Sequence, residues 1–265
     1  MPTADLGDVS LYYDRHGEGP SVLGIMGFGA DQRLWAAQIP AVTPTHSFIT
    51  FDNRGVGRSS GDGASTIDQM SDDAYRLLGH LDIDRTVVFG ASMGGAIAQR
   101  LVLDHPEIAD ALILAVTFAR PIEFMRRQHE LTRAILRTES PLDTFIDGAV
   151  LRMFTPAFFE LGRETVDLIV RGFLAGDEPM TSPEVLLAQL DALDKHDVLD
   201  ELSSIDCPTL VLGGKQDVMV PGFASEEIAH AIPGAELHMF ETGHGCLVEE
   251  MGQVNVAISE FLARL

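Results

Sequence analysis

The sequence predicts an α/β fold with a mostly parallel central sheet and helices on both of its faces. Short, almost wholly apolar runs recur along the chain, and such runs are typical of strands buried on both sides. Segments with helical spacing alternate with these runs, as in doubly wound folds. A third observation is an apolar run, 86–89, that passes through one glycine-flanked serine directly into a helix start rich in small residues.

The strands and helices of this prediction follow from local patterns. The 66–81 segment is a helix because its apolar residues recur three and four positions apart. Helices are also expected at 35–41, from the serine turn to about 104, and at 254–265. The predicted strands are 9–14, 21–26, 46–51, 86–89, 111–116, 207–213 and 235–240.

The alternation of strands and helices stops after 111–116 and resumes at 207–213. Between them lie four segments that indicate helices and no strand-like run, namely 121–137, 142–154, 156–174 and 183–193. A crossover of this length is far longer than usual. We therefore expect 119–202 to form a separate helical unit inserted into a core made of 1–118 and 203–265.

The serine turn reads Gly90-Ala91-Ser92-Met93-Gly94. A serine hydroxyl is a weak nucleophile unless a base lies next to it and its turn holds it where a substrate can reach it. Gly90 and Gly94 fit such a sharp turn, since a side chain at either place would clash with the strand or helix. The Met93 amide would lie at a helix N-terminus and could stabilise an oxyanion. The alternative is a plain strand-to-helix turn with a solvated serine hydroxyl.

Two later loops have matching patterns. The strand 207–213 is followed by a loop containing Asp217 and ending in Val220-Pro221, and the strand 235–240 leads into Glu241-Thr242-Gly243-His244-Gly245. Together with the serine turn and the Asp52–Ser59 loop, these motifs resemble those of the α/β-hydrolase superfamily, and the resemblance extends over almost the whole chain.

The resemblance implies a catalytic triad of Ser92, Asp217 and His244, in that chain order. His244 would take the serine proton, and Asp217 would orient the imidazole. The amides of Phe28 and Met93 would form the oxyanion hole. Met26 departs from the family pattern, which often has a histidine at this position before the Phe28 loop. The resemblance also implies that 119–202 is a helical cap over the site.

Apolar residues in and near the predicted cap are candidates for the substrate pocket: Phe118, Phe124, Met125, Phe154 and Phe158. The alternative for each of them is the core of the cap. Four arginines on one predicted cap helix indicate a solvated face or, as a second interpretation, an anion-binding role. They are Arg126, Arg127, Arg133 and Arg137.

The composition limits the classes of molecule that this protein is expected to bind. The formal net charge of −22 argues against nucleic acid and against an anionic membrane surface. The N-terminus lacks a secretory signal pattern, and the two cysteines, Cys207 and Cys246, form no disulfide framework. We expect a cytoplasmic monomer or homodimer that acts on a small molecule and needs no metal or other cofactor, because no metal-ligand motif is present.

The predicted activity is hydrolysis of a small ester, lactone or thioester that has a hydrophobic portion. Carbon–carbon bond hydrolases, lyases and cofactor-free perhydrolases of the same superfamily use the same triad and remain alternatives, as does a ligand-binding receptor. Dehalogenases and epoxide hydrolases are disfavoured, since they have an aspartate where Ser92 stands.

Overall fold

Eight strands form one sheet in the computed structural model, which describes residues 2–138, 141–164, 166–167 and 181–265, with the backbone alone for 141–145. The sheet order is β1-β2-β4-β3-β5-β6-β7-β8. The strands are β1 (Thr3–Asp5), β2 (Ser10–His16), β3 (Ser21–Ile25), β4 (Ser47–Phe51), β5 (Thr86–Ala91), β6 (Ala109–Ala115), β7 (Thr209–Gly214) and β8 (Glu236–Phe240).

The sheet is parallel from β4 to β8, while β1 and β2 pair antiparallel at one edge. Strand order reverses between β3 and β5, and ligands of open α/β sheets bind at such a reversal, beyond the carboxyl ends of the strands. The register sets Ala91 of β5 opposite Ala115 of β6, and Ala115 opposite Leu212 of β7. The loops that follow these strands therefore leave the sheet at one level.

Helices cover both faces of the sheet, as the sequence predicts. They are α1 (Ile39–Val42), α2 (Ile67–His80), α3 (Met93–Asp104), α4 (Glu123–Leu136), α5 (Pro141–Met153), α6 (Pro156–Phe159), α7 (Pro183–Lys195), α8 (Phe223–Ala231), α9 (Cys246–Glu249) and α10 (Met251–Leu262). The structure also contains three 3₁₀ segments, Gln32–Ala37, Pro106–Ile108 and Leu199–Ser204. Helices α2, α3 and α8 contribute to the core on one face, and α1 and α10 contribute to the core on the other.

The predicted helix at 66–81 illustrates why these elements form where they do. The Thr66 side chain accepts a hydrogen bond from the Gln69 amide and so caps the first turn of α2. The apolar residues that define the helical spacing are buried against the sheet: Ile67, Met70, Ala74, Leu77 and Leu78. Burial of this stripe is what stabilises the helix.

Several elements differ from the sequence prediction. Strand β1 and helix α8 were not predicted, because three residues are too few for a periodic pattern and α8 has a weak one. The expected helix at 35–41 is a 3₁₀ segment and a separate short helix that has Pro40 in its first turn. The expected helix 156–174 is interrupted: α6 ends at Phe159, Gly162 follows at a φ of +89°, and residues 163–164 and 166–167 are helical again. Its part at 168–174 lies outside the described residues.

Arg54 joins the Asp52–Ser59 loop to α2. Its guanidinium donates two hydrogen bonds to the buried Asp73 carboxylate, at 2.8 and 2.6 Å. This carboxylate raises the pKa of Arg54. Asp73 is 19 residues away in sequence, so no local spacing predicts this pair.

Helices α4 to α7 lie between β6 and β7, and the described residues of 119–202 include no strand. The division of the chain into a core and an inserted cap stays a prediction. Within the described residues, no helix is both long enough and apolar enough to cross a bilayer.

Replacement of Gly94 by alanine is expected to destabilise the fold strongly. A Cβ atom there would overlap the carbonyl oxygen of Ile25, a backbone atom that cannot rotate away as a side chain can. We expect a loss of at least about 3 kcal/mol in the free energy of unfolding, or no folded protein. Urea denaturation of the Gly94→Ala variant measures this.

The matched control is Gly79→Ala, on the exposed side of α2, where an added Cβ would have no neighbour within 4 Å. This variant is expected to gain about 0.5–1 kcal/mol, because alanine favours helix more than glycine does. Equal stability of the two variants would contradict the packing described for the serine turn.

Candidate active site

Ser92 lies in a strained turn between β5 and α3. Its backbone has φ +54° and ψ −120°, a conformation that L-residues rarely adopt. The Ser92 amide donates to the carbonyl of Ala115, at 2.9 Å. A Cβ atom at Gly90 would overlap the backbone of Gly94 and the neighbouring glycine. The sequence adopts this turn because glycines stand where strand and helix come too close for a side chain.

Three predicted site residues meet in a chain of hydrogen bonds. The distance from His244 Nε2 to Ser92 Oγ is 3.0 Å, and that from His244 Nδ1 to Asp217 Oδ2 is 2.7 Å. The other carboxylate oxygen of Asp217 accepts the amides of Met219 and Val220, at 2.7 and 2.9 Å. His244 and Asp217 are buried, with 8% and 6% of their surfaces exposed. This arrangement can remove a proton from the serine and stabilise the resulting imidazolium.

The two predicted oxyanion donors belong to backbone segments next to this serine. Met93 is the first residue of α3, so its amide belongs to the helix N-terminal groups that have no partner within the helix. Phe28 follows Gly27, whose backbone lies close to the serine: a Cβ there would be 3.1 Å from Ser92 Cβ. Both residues are thus close to Ser92, and the catalytic role of their amides is a proposal.

The loop that contains Phe28 is held from both sides although no histidine precedes it. The Asn53 amide donates to the carbonyl of Met26, at 3.0 Å. The Gly29 amide donates to Gln189 Oε1, at 2.8 Å, and the Thr181 hydroxyl donates to the Gly29 carbonyl, at 2.9 Å. Gln189 and Thr181 belong to 119–202, the helical segment inserted in the chain between β6 and β7. This inserted segment therefore helps to fix the loop.

The loop that contains the site histidine is attached to the same inserted segment. The Gly245 amide donates to the carbonyl of Met153, at 2.7 Å. The Glu249 carboxylate accepts the Gly243 amide at 3.0 Å and also the amide of Thr155. The inserted segment therefore helps to position two of the loops around the serine.

A cavity of about 330 Å³ opens onto Ser92 and His244. Its volume is at the lower end for small-molecule sites, which favours a small ligand. Val116, at the end of β6, lines it with a φ of +46°, a strained conformation for a β-branched residue. Other apolar lining residues are Met26, Leu34, Leu190, Leu193, Met219 and Leu247.

Three of the five predicted pocket residues line this cavity: Phe118, Met125 and Phe154. Phe124 does not line it and is 50% exposed. Neighbouring residues of a helix point about 100° apart, so Phe124 points away from the cavity that Met125 lines. Phe158 is buried behind the cavity wall, where its ring stacks on that of Phe154 with 4.1 Å between the centroids. Neither residue therefore lines this cavity.

Polar residues of the cavity were missed by the sequence analysis. Gln128, His129 and Thr132 share the cavity face of α4 with Met125, and Arg152 lines the cavity from α5. The spacing of the α4 residues, three, four and seven positions after Met125, could have indicated a shared face. No comparable spacing in the sequence indicates that Arg152 lines the cavity.

His129 illustrates why such residues escape sequence reasoning. Its Nδ1 lies 2.6 Å from Asp194 Oδ1, a pairing across 65 residues that no local spacing predicts. Burial lowers the pKa of His129, although the Asp194 carboxylate acts in the opposite direction.

The predicted cluster of cap arginines lies mostly on a charged outer face. Arg126 and Arg137 are exposed, and Arg127 pairs with Glu123 at 2.8 Å. Arg133 pairs with Asp191 and Asp194, at 2.8 and 2.7 Å. None of the four lines the cavity, so the solvated-face interpretation describes them better than anion binding does.

Other candidates for reactive chemistry are weak. Burial raises the pKa of the Cys246 thiol to about 12, so it stays protonated near neutral pH. Within the described part of the chain, no group of three or more histidine, cysteine, aspartate or glutamate side chains could hold a metal ion.

Comparison with known proteins identifies the family. Residues 20–250 match the sequence model of the alpha/beta hydrolase fold. The chain belongs to the α/β-hydrolase family. It is 31% identical over 260 residues to 3-oxoadipate enol-lactonase 2 of Acinetobacter baylyi, covering 97% of this chain and 94% of that protein.

Two further similarities span most of the chain. It is 29% identical over 244 residues to a protein of Azorhizobium caulinodans provisionally named a carbamate hydrolase, covering 92% of this chain and 91% of the relative. The crystal structure of the enol-lactonase from Burkholderia xenovorans has a TM-score of 0.89 at 26% identity, covering 99% of this chain and all of that one. Family membership and these relatives support a hydrolase.

Proposed function

We propose that this member of the α/β-hydrolase family is a serine hydrolase that cleaves a small ester, lactone or thioester through an acyl-enzyme on Ser92. The observation that carries the proposal is the hydrogen-bonded chain from Ser92 Oγ through His244 to Asp217. The strained serine turn adds support, since strain of this kind is typical of functional sites.

In the proposed reaction, Ser92 Oγ attacks the carbonyl carbon while its proton moves to His244 Nε2. Asp217 stabilises the imidazolium and keeps Nδ1 as the protonated nitrogen. The amides of Met93 and Phe28 donate to the oxyanion of the tetrahedral intermediate. The intermediate collapses to the acyl-enzyme, and the leaving alkoxide or thiolate takes the proton from His244. Water then attacks the acyl group by the same route and releases the acid.

The cavity supports a substrate with a hydrophobic portion, because most of its lining residues are apolar. A lactone is one candidate, supported by similarity to two enol-lactonases. The segment 119–202 would act as a cap that selects the substrate, since Met125 and Phe154 belong to it and line the same cavity as Ser92.

The Ser92→Ala variant is expected to lose ester hydrolysis to the background rate, because the attacking oxygen is removed. The wild-type protein should be labelled on Ser92 by a fluorophosphonate probe and the variant should not. Hydrolysis of a panel of esters, lactones and diketones, with peptide mapping of the label, measures both.

Ser65→Ala is the matched control, since Ser65 is exposed and its contact with Lys195 uses the backbone carbonyl, which the substitution keeps. It should keep full activity and labelling. If Ser92→Ala still hydrolyses esters at the wild-type rate, the proposal fails; cleavage of diketones alone would favour carbon–carbon bond hydrolysis.

Cap residues that line the cavity should determine substrate preference. Phe154→Ala is expected to change the ratio of kcat/KM between short and long acyl esters by the equivalent of roughly 1–3 kcal/mol, because the ring forms part of the cavity wall. Probe labelling of Ser92 in this variant should persist.

Phe124→Ala serves as the control, because it removes the same side chain from an exposed position on α4. Its ester profile should match the wild type. Identical profiles of the two variants would show that this wall does not select the substrate.

A further inference from the structure

Arg152 is a cation inside the cavity that also contains Ser92 and His244. Its Nε donates to the carbonyl of Gly148 at 2.9 Å, and its Nη1 lies 3.4 Å from Gln128 Oε1. Both acceptors are neutral. Among the described residues, no carboxylate forms a salt bridge with this guanidinium.

The other arginine of the cavity is neutralised within the protein. Arg33 binds both carboxylate oxygens of Asp31, at 2.9 and 2.6 Å. The buried Arg54 is paired with Asp73 in the same way. In a chain with a net charge of −22, a partly buried arginine with only neutral partners among the described residues is therefore unusual.

A guanidinium withdrawn from water is costly unless an anion pairs with it. Burial lowers the pKa of Arg152, yet an arginine stays charged near neutral pH, so the cost cannot be avoided by deprotonation. The charge of Arg152 lies in the wall of a ligand cavity, so the anion that would offset this cost can come from the ligand.

Gln128 fixes how the guanidinium is presented. Its Nε2 donates to the carbonyl of Met219 at 3.1 Å, which turns Oε1 of the same amide towards Arg152. Met219 belongs to the loop of Asp217. The position of Arg152 is thus linked to the part of the structure that positions His244.

We propose that Arg152 binds a carboxylate of the substrate, so that the ester or lactone cleaved at Ser92 has a second, anionic group. Guanidinium groups match planar carboxylates through paired hydrogen bonds. A single cation with neutral neighbours balances the single charge of a carboxylate, whereas a phosphate dianion would need a second cation and Arg33 is already paired. This inference rests on the proposed serine hydrolase function.

The test compares two 4-nitrophenyl esters of equal chain length: the monoester of glutarate, which is anionic, and the valerate ester, which is neutral. The wild-type protein is expected to have a kcat/KM for the anionic ester that exceeds the neutral one by roughly tenfold or more. Arg152→Gln should lower kcat/KM for the anionic ester by about 10- to 100-fold, mainly through KM, and should affect the neutral ester much less.

Two further variants complete the design. Arg152→Lys should recover part of the preference, because it keeps the charge without the planar fork. Arg126→Gln removes the same charge from an exposed position on α4 and should leave the preference unchanged.

A binding measurement covers the case in which turnover of both esters is slow. Glutarate should slow fluorophosphonate labelling of wild-type Ser92 more than the neutral glutaramide does, and this difference should disappear in Arg152→Gln.

The inference is overturned if Arg152→Gln lowers kcat/KM for both esters by the same factor or changes neither value. It is also overturned if glutarate and glutaramide slow the labelling of wild-type Ser92 equally. In those cases neutral ester hydrolysis and Ser92 labelling would still support the serine hydrolase. Absence of both hydrolysis and labelling in the wild type would instead overturn the proposed function, and this inference with it.

Discussion

The left-handed backbone at Ser92 is the constraint on which the site depends. A φ of +54° is energetically costly for serine. The turn keeps this conformation because it must connect β5 directly to α3. The amide of Ser92 is bound to β6, and the hydroxyl of Thr117 donates to the Ser92 carbonyl at 2.7 Å. These contacts hold the serine hydroxyl outside the sheet, at the edge where the acid and histidine loops arrive.

The parallel register brings those loops to the same edge. Strands β5, β6 and β7 are level, and β8 pairs with β7 so that Phe240 lies opposite Gly214. Loops 125 and 152 residues away from Ser92 in sequence can therefore meet it without long detours. The inserted segment adds hydrogen bonds to the Phe28 loop through Gln189 and to the histidine loop through Met153, so it contributes to geometry as well as to the cavity wall.

The sequence predicted the parts of this protein that depend on short-range pattern. The alternation of apolar runs and helical stripes predicts the parallel sheet, and the motifs around Ser92, Asp217 and His244 identify the three residues that the fold brings together. Residue identity alone does not say which face of its helix a residue occupies. Phe124 and Met125 are adjacent in sequence, yet only Met125 lines the cavity. The environment of Arg152 depends on contacts with Gln128, 24 residues away, and on which carboxylates are near it in space.

The central claim is that Ser92 becomes acylated during turnover. Acid quenching of the wild-type protein during its first turnovers of 4-nitrophenyl acetate, whose activated leaving group favours rapid acylation, followed by peptide mass mapping, tests it most directly. We expect the mass of one acetyl group on the peptide that contains Ser92, and no acetyl group on the corresponding peptide of the Ser92→Ala variant. Acetylation of another residue that persists in Ser92→Ala, with Ser92 unmodified in the wild type, would contradict the claim.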